Sequence, residues 1–150
     1  MTPKELVQQA MEAMQLAYAP YSGYKVGAAL LTSSGRVYRG CNIENAAFGP
    51  SNCAERTAIF KAVSEGERAF DAIAVVGGKD GVVTGVFPPC GVCRQVMQEF
   101  CGPDFRIYMG RGDGSFESVR LDELLPYGFS AEQYMKDPAV GGTAEKEESQ

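Results

Sequence analysis

The order of apolar patterns along this chain restricts its fold more than any other feature of the sequence. Residues 3–18 repeat apolar positions at helical spacing, and the strand-like runs VGAALLT and RVYRGCN flank the turn signal SSG. Helical and strand-like segments then alternate, and a last pair of strands ends the series. A hairpin followed by strands joined through helices predicts an α/β fold, a three-layer α/β/α sandwich with a mixed five-stranded sheet.

The same patterns predict the bounds of each element. The first helix should end before Pro20, and Asn52 should cap a second helix that covers Cys53 to about Glu65. A third helix should run from PPCGVC through Phe100. The remaining predictions are strands in DAIAVV and FRIYMG, an edge strand in SFESVR, a helical turn in LDELL and a glycine-rich connection in GGKDGVVTG.

No repeat or linker divides the chain, so we predict a single domain over residues 1–137. Residues 138–150 contain Gly-Gly and EKEESQ without apolar anchors, and we expect a flexible tail there. The N-terminus shows no basic region followed by an apolar run, so no signal peptide is expected. No apolar stretch approaches the roughly 20 residues of a membrane helix, and no membrane partner is expected.

Histidine is absent from the composition, which excludes Ser-His-Asp and Cys-His nucleophilic sites of the usual kinds. A transition-metal site would therefore use cysteine, aspartate or glutamate. Five cysteines, an odd number, argue against a disulfide framework and favour a reducing, cytoplasmic location. The net charge of -5 disfavours a nucleic-acid partner, which needs clustered lysine and arginine.

Cysteines stand at two predicted helix starts. Cys90 and Cys93 are three residues apart and can point at one ion, and Cys53 opens the preceding helix. Because helix starts that follow neighbouring strands lie at the same edge of the sheet, the three thiols can meet. Three protein ligands with an open position are typical of catalytic zinc, and four are typical of structural zinc. Cys41 and Cys101 are interpreted as incidental or buried thiols, and either remains a possible fourth ligand.

Two charged residues follow Cys53 in the sequence. Glu55 can complement the helix dipole, or it can move a proton to and from a zinc-bound water. Three thiolates leave a zinc site negatively charged, and Arg56 can offset that charge by donating to the ligand sulfur atoms. The positions of both residues favour the functional interpretation.

Several motifs in order resemble the cytidine deaminases. GCNIENA, CAERTA, PCGVCRQV and LLP-x-x-F carry the similarity, which runs from about Pro20 to Phe129. A cysteine as first ligand in so short a chain is similar to the small homotetrameric branch of that family. The resemblance implies one zinc ion per subunit, held by Cys53, Cys90 and Cys93, and deamination of cytidine and 2'-deoxycytidine to uridine and 2'-deoxyuridine with release of ammonia in pyrimidine salvage. It also implies that zinc-bound hydroxide attacks C4 while Glu55 shuttles the proton.

The resemblance further implies a binding site for a free nucleoside. Asn42 and Glu44 would bind the ribose 3'-hydroxyl, and the Glu44 carboxylate would repel a 3'-phosphate. The backbone around Ala54 and Cys90 would lie against the base and the leaving group. Tyr24 stands where the family commonly has phenylalanine beside the substrate, and Phe48 stands where tyrosine is frequent. Phe129 matches the aromatic residue that stacks on the base from a neighbouring subunit, so active sites in the expected homotetramer would be shared.

Three other interpretations of the sequence remain open. Zinc can stabilise the fold of a non-catalytic module, which requires a fourth protein ligand, and the sequence does not prove which ion is bound, since iron also binds four thiolates. A thiol redox protein can use Cys90 and Cys93, although it has no use for Glu55 or Glu44. A deaminase of a cytosine-containing antibiotic or a modified nucleoside is the alternative within the enzyme class.

Overall fold

The computed structural model describes residues 1–134, which form five strands and five helices. The predicted domain boundary at residue 137 and the predicted tail over 138–150 lie outside the described residues. None of the helices within residues 1–134 has the length and apolar character to cross a lipid bilayer. In chain order, the elements are α1 (Pro3–Met14), β1 (Tyr24–Thr32), β2 (Val37–Cys41), α2 (Ala54–Ser64), β3 (Phe70–Lys79), α3 (Gly91–Phe100), β4 (Arg106–Gly110), β5 (Phe116–Arg120), α4 (Leu121–Leu124) and α5 (Ala131–Tyr134).

The strands form one mixed sheet in the order β2-β1-β3-β4-β5. Strand β1 pairs antiparallel with both β2 and β3, β3 pairs parallel with β4, and β4 pairs antiparallel with β5. This arrangement confirms the predicted α/β fold with a mixed five-stranded sheet. The SFESVR segment also forms an edge strand, as predicted.

Helices cover both faces of the sheet and create two cores. On one face α1 packs Leu6, Val7 and Met14 against the sheet, and on the other α2 and α3 contribute Ile59 and Met97. The central strands β1 and β3 are therefore buried on both sides. Because both faces of these strands are buried, apolar and polar residues do not alternate along them. Their sequences therefore contain the continuous apolar runs GAALL and AIAVV.

Three predicted boundaries differ from the structure. Helix α1 ends at Met14 instead of near residue 18, because Tyr18 leaves the helical path and pairs with the segment around Ile43. Strand β3 continues through Gly77 and Gly78, which were predicted to belong to a connection. A Cβ atom at Gly78 would lie 1.9 Å from the Val82 carbonyl oxygen, so the glycine permits a close backbone approach inside the strand.

Helix α2 also begins differently from the prediction, at a residue of the candidate site. The N-cap residue is Cys53 and not Asn52, and α3 likewise has Cys90 as its N-cap. Neither cap side chain bonds to the helix backbone, so both thiols are free to face elsewhere. Because β1 separates β2 from β3 and runs antiparallel to both, β2 and β3 run in the same direction and end at the same edge of the sheet. The helices that follow them begin together at that edge.

Candidate active site

The sulfur atoms of Cys53, Cys90 and Cys93 converge where α2 and α3 begin. All three Sγ atoms lie within 4.8 Å of one another. Cys53 and Cys90 belong to different helix starts, and their Sγ atoms are 3.6 Å apart. The position of Cys93 within the first turn of α3 directs its thiol to the same point, where the residue is fully buried. Two loops far apart in sequence therefore contribute to one cluster.

The spacing of this cluster fits a zinc ion. In a tetrahedral site with Zn–S bonds of about 2.3 Å, two sulfur atoms lie about 3.8 Å apart. The separation of 3.6 Å between Cys53 and Cys90 is close to that value. Within residues 1–134, neither Cys41 nor Cys101 joins the cluster, and no carboxylate does so. The cluster thus has three protein ligands and a position left for water or substrate, which is the arrangement of catalytic zinc.

The two cysteines outside the cluster have ordinary positions. Cys41 ends β2 and is half-buried, and burial raises the pKa of its thiol. Cys101 follows α3, where burial raises the pKa of its thiol to about 12. Both groups therefore stay protonated at neutral pH, unlike a metal-ligating thiolate.

The surroundings of the cluster favour negative charge on the sulfur atom of Cys53. A hydrogen bond shared with Cys93 lowers the pKa of the Cys53 thiol, and a second one from Arg56 lowers it further. The same shared bond, together with burial, raises the pKa of the Cys93 thiol. Arg56 Nη2 donates to Cys53 Sγ at 3.3 Å, while its buried Nε has no partner among the described residues. That spare donor suits a cluster that carries the charge of three thiolates.

The Arg56 contact leads to a testable prediction. Arg56→Gln should weaken zinc binding about tenfold, because the variant loses a charged donor to a ligand sulfur. Competition with a chromogenic zinc chelator measures the affinity. Arg106→Gln, which changes an exposed arginine on β4, is the matched control and should bind zinc like the wild type. Equal affinities for the Arg56 variant and the control would contradict this role.

Glu55 is a buried carboxyl group in the first turn of α2. Only 3% of the residue is exposed, and burial raises the pKa of the carboxyl group to about 7. A group with a pKa near neutrality can both accept and release a proton at physiological pH. Because Glu55 is not part of the metal-ligand cluster, its carboxylate remains available for proton transfer.

A pocket of about 530 Å³ opens in front of this cluster. Of the residues singled out by sequence, the lining includes Tyr24, Asn42, Glu44, Phe48, Cys53, Ala54, Glu55, Arg56 and Cys90. A larger hollow of about 720 Å³ lies at the other end of α3, beside Cys101 and Leu125, and contains none of the residues predicted for the site. The smaller pocket is therefore the candidate active site.

Asn42 and Glu44 hold the loop that forms one wall of the pocket. The side chain of Asn42 accepts a hydrogen bond from the Val26 backbone at 2.9 Å and donates one to the Tyr24 carbonyl at 2.7 Å. The carboxylate of Glu44 accepts bonds from the backbone N–H groups of Tyr21 and Ser22 at 2.9 and 3.1 Å. It also accepts a bond from the Ser22 hydroxyl, and these donors lower the pKa of Glu44.

The aromatic residues are divided between the pocket and the surface. Tyr24 packs 6.4 Å from Phe87, ring centre to ring centre, and both line the pocket. Phe87 was not among the residues predicted for the site, because it lies in a connection without periodicity. Phe48 is 92% exposed at the rim. Phe129 is half exposed, is absent from the lining of this pocket, and its carbonyl accepts a bond from Gln95 at 2.9 Å.

Comparison with known proteins identifies the class to which this site belongs. The family described as "Cytidine and deoxycytidylate deaminase zinc-binding region" matches residues 1–109, a range that contains the whole thiol cluster and Glu55. The protein is a zinc-dependent hydrolytic deaminase, and the three-cysteine cluster fits one zinc ion per subunit.

Full-length relatives identify the family. A cytidine deaminase from Halalkalibacterium halodurans is 52% identical over 127 residues, which cover 85% of this chain and 93% of the relative. One from Sporosarcina psychrophila is 48% identical over 132 residues, 88% of this chain and 94% of the relative. The crystal structure of a cytidine deaminase from Burkholderia pseudomallei superposes with a TM-score of 0.80 at 46% identity, covering 86% of this chain and all of that one. The chain belongs to the cytidine and deoxycytidylate deaminase family.

Proposed function

We propose that this protein hydrolyses cytidine and 2'-deoxycytidine to uridine and 2'-deoxyuridine, with release of ammonia. The observation that carries the proposal is a three-thiol cluster beside the buried Glu55, with Cys53, Glu55 and Cys90 all lining one pocket. Relatives covered over more than nine tenths of their length are named cytidine deaminases, which supports this choice of substrate. The proposed biological role is pyrimidine salvage in the cytoplasm, where free cysteines stay reduced.

The proposed reaction uses the three cysteines, Glu55 and the backbone near Ala54 and Cys90 in separate roles. Cys53, Cys90 and Cys93 would hold a zinc ion, which would supply Lewis-acid activation of a water molecule for attack on C4 of the cytosine ring. Glu55 would take one proton from that water and deliver it to N3, and it would then move the remaining proton of the hydroxyl added at C4 to the amino group, which leaves as ammonia. Its burial supports this role, because a carboxyl group with little access to bulk water keeps the proton between itself and the substrate. The backbone around Ala54 and Cys90 would contact the base and the leaving group.

Asn42 and Glu44 are proposed to bind the sugar. After its contacts to Val26 and Tyr24, the Asn42 amide retains one N–H donor. Glu44 keeps acceptor capacity on Oε2. A ribose 3'-hydroxyl can accept a hydrogen bond from the Asn42 amide and donate one to Glu44 Oε2 at the same time. A 3'-phosphate would meet a carboxylate instead, so the proposed substrate is a free nucleoside and not a polynucleotide.

The first experiment measures ammonia release by the purified zinc protein. Cytidine and 2'-deoxycytidine should both be deaminated, whereas cytidine 3'-monophosphate should not. Zinc content is assayed in the same preparation. Absence of ammonia release from either nucleoside, with zinc bound, would reject the proposed substrate. Deamination of cytidine 3'-monophosphate at a rate similar to that of cytidine would reject the proposed role of Glu44.

Phe129 is proposed to complete the active site of another subunit in a homotetramer. Its half-exposed ring and its absence from the lining of its own chain's pocket support this role. The Glu55→Gln and Phe129→Ala variants should each have reduced deaminase activity. When the subunits of both variants are dissociated, mixed and reassembled, activity should recover. In a mixed tetramer, some active sites combine an intact Glu55 from one subunit with an intact Phe129 from another. Activity assays on mixed and unmixed samples test this. Lack of recovery, or full wild-type activity on dilution to monomer, would contradict subunit sharing.

A further inference from the structure

Ser22 has an unusual set of contacts for an exposed serine in a loop. Its hydroxyl donates to Glu44 Oε2 and accepts a bond from the Tyr24 backbone N–H at 3.0 Å. Its backbone N–H donates to Glu44 Oε1 at 3.1 Å, and its carbonyl accepts from Lys79 Nζ at 2.8 Å. Every polar group of Ser22 therefore has a partner, and two of those partners, Glu44 and Tyr24, line the active-site pocket.

These contacts determine how much of the Glu44 carboxylate remains for a ligand. An ionised carboxylate offers about four acceptor positions, two on each oxygen. Oε1 accepts bonds from the N–H groups of Tyr21 and Ser22, and Oε2 accepts one from the Ser22 hydroxyl. About one position remains, and it is on Oε2. The side chain is thereby held in one orientation with room for a single donor.

The loop is held from its other side as well. Lys79 lies 5.4 Å from the centre of the Tyr24 ring while it donates to the Ser22 carbonyl. Asp80 N–H donates to the Gly23 carbonyl at 2.6 Å, and Gly23 has a φ angle of +76°, which favours glycine. The backbone of Ser22 thus stays anchored when its hydroxyl is removed. A change at this side chain should alter Glu44 and remove one acceptor from the Tyr24 backbone N–H, while the backbone contacts keep the loop in place.

We propose that Ser22 is a positioning residue that sets specificity for the sugar: its hydroxyl holds Glu44 so that one oxygen accepts the 3'-hydroxyl of the nucleoside. This inference rests on the proposed function. Loss of the Ser22 hydroxyl frees a second position on Oε2 for water and lets the carboxylate rotate. The affinity for nucleosides that carry a 3'-hydroxyl should fall. The affinity for nucleosides without a 3'-hydroxyl should not change, because they have no group for Glu44 to bind.

The test compares Ser22→Ala with the wild-type zinc enzyme on two ligands. The KM for cytidine should rise about tenfold, the factor expected for a hydrogen bond to a charged group, with kcat changed less than about twofold. The inhibition constant of 3'-deoxycytidine, measured as a competitor of cytidine, should change less than about twofold. Ser22→Thr keeps the hydroxyl and should restore the wild-type KM. Ser22→Cys has a side chain of similar size with a weaker donor. It should show the same rise in KM for cytidine with no change for 3'-deoxycytidine, and it replaces the alanine variant if that variant does not fold.

Ser115→Ala is the matched control. Ser115 also bonds a carboxylate through its hydroxyl and its backbone, to Asp113 Oδ1 at 2.6 and 2.9 Å, but it lies in the turn between β4 and β5. This variant should keep the wild-type KM. An equal loss of affinity for cytidine and 3'-deoxycytidine in Ser22→Ala would overturn the proposal, and so would an unchanged KM. A wild-type enzyme that releases no ammonia from cytidine would instead reject the proposed function itself.

Discussion

Glu55→Gln should lower the turnover of cytidine about a thousandfold while zinc stays bound. The amide keeps the size of the side chain but cannot accept a proton from the attacking water or carry it to the ring and the leaving group. Because Glu55 is not among the residues of the thiol cluster, the substitution leaves the metal ligands intact. Steady-state kinetics with zinc analysis of the same samples measures both effects.

The stability of this variant gives a second and independent measurement. Glu55 is 3% exposed, and a buried ionised carboxylate is costly. The neutral amide should therefore leave the thermal unfolding midpoint unchanged or raise it. Glu99→Gln makes the same chemical change at an exposed position on α3 and should alter neither turnover nor unfolding. Turnover of the Glu55 variant within tenfold of the wild type would remove this residue from the mechanism.

Cys93→Ala should abolish zinc binding and activity together. The residue is fully buried, and its Sγ lies within 4.8 Å of the sulfur atoms of both Cys53 and Cys90. Two thiols would remain, too few to hold zinc against a chelator. We expect the metal content to fall from one zinc per chain to near zero and deamination to fall below detection. Metal analysis and the ammonia assay measure the two quantities.

Zinc removal tests the same site through stability. A ligand that binds only the folded state raises the unfolding midpoint, so a strong chelator should lower the midpoint of the wild type. It should not change the midpoint of Cys93→Ala, which has no zinc to lose. Cys41→Ala, at a half-buried thiol outside the cluster, should bind zinc and respond to the chelator like the wild type. A Cys93 variant that retains one zinc and its activity would show that the metal lies elsewhere.

Much of this site was accessible from local sequence. The Pro-Pro stop before Cys90 and the polar segment before Cys53 mark helix starts, and the absence of histidine leaves cysteine as the soft ligand. The roles of Asn42 and Glu44 came from the resemblance of GCNIENA to a family and not from the residues themselves. Those roles remain predictions.

Other features of the pocket had no local signal. Phe87 lies in a connection without periodicity, so nothing in the sequence separated a pocket aromatic from a solvent-exposed one. Ser22 looked like one of several small residues in a turn, and its bond to Glu44 joins segments 22 residues apart. The end of α1 at Met14 was also missed, because pairing between Tyr18 and Ile43 overrides the helical pattern.

The amino-acid sequence alone determined the order of the elements from α1 to α4, the apolar runs of the central strands and the residue types available as ligands; α5 was not predicted. Periodicity and side-chain chemistry are local properties, so these features can be read along the chain. Only the tertiary structure decided that the thiols of α2 and α3 meet, since their meeting depends on β1 lying antiparallel between β2 and β3. It also decided that Glu55, a residue type common in the first turns of exposed helices, is buried beside them, because burial is produced by packing between segments distant in sequence.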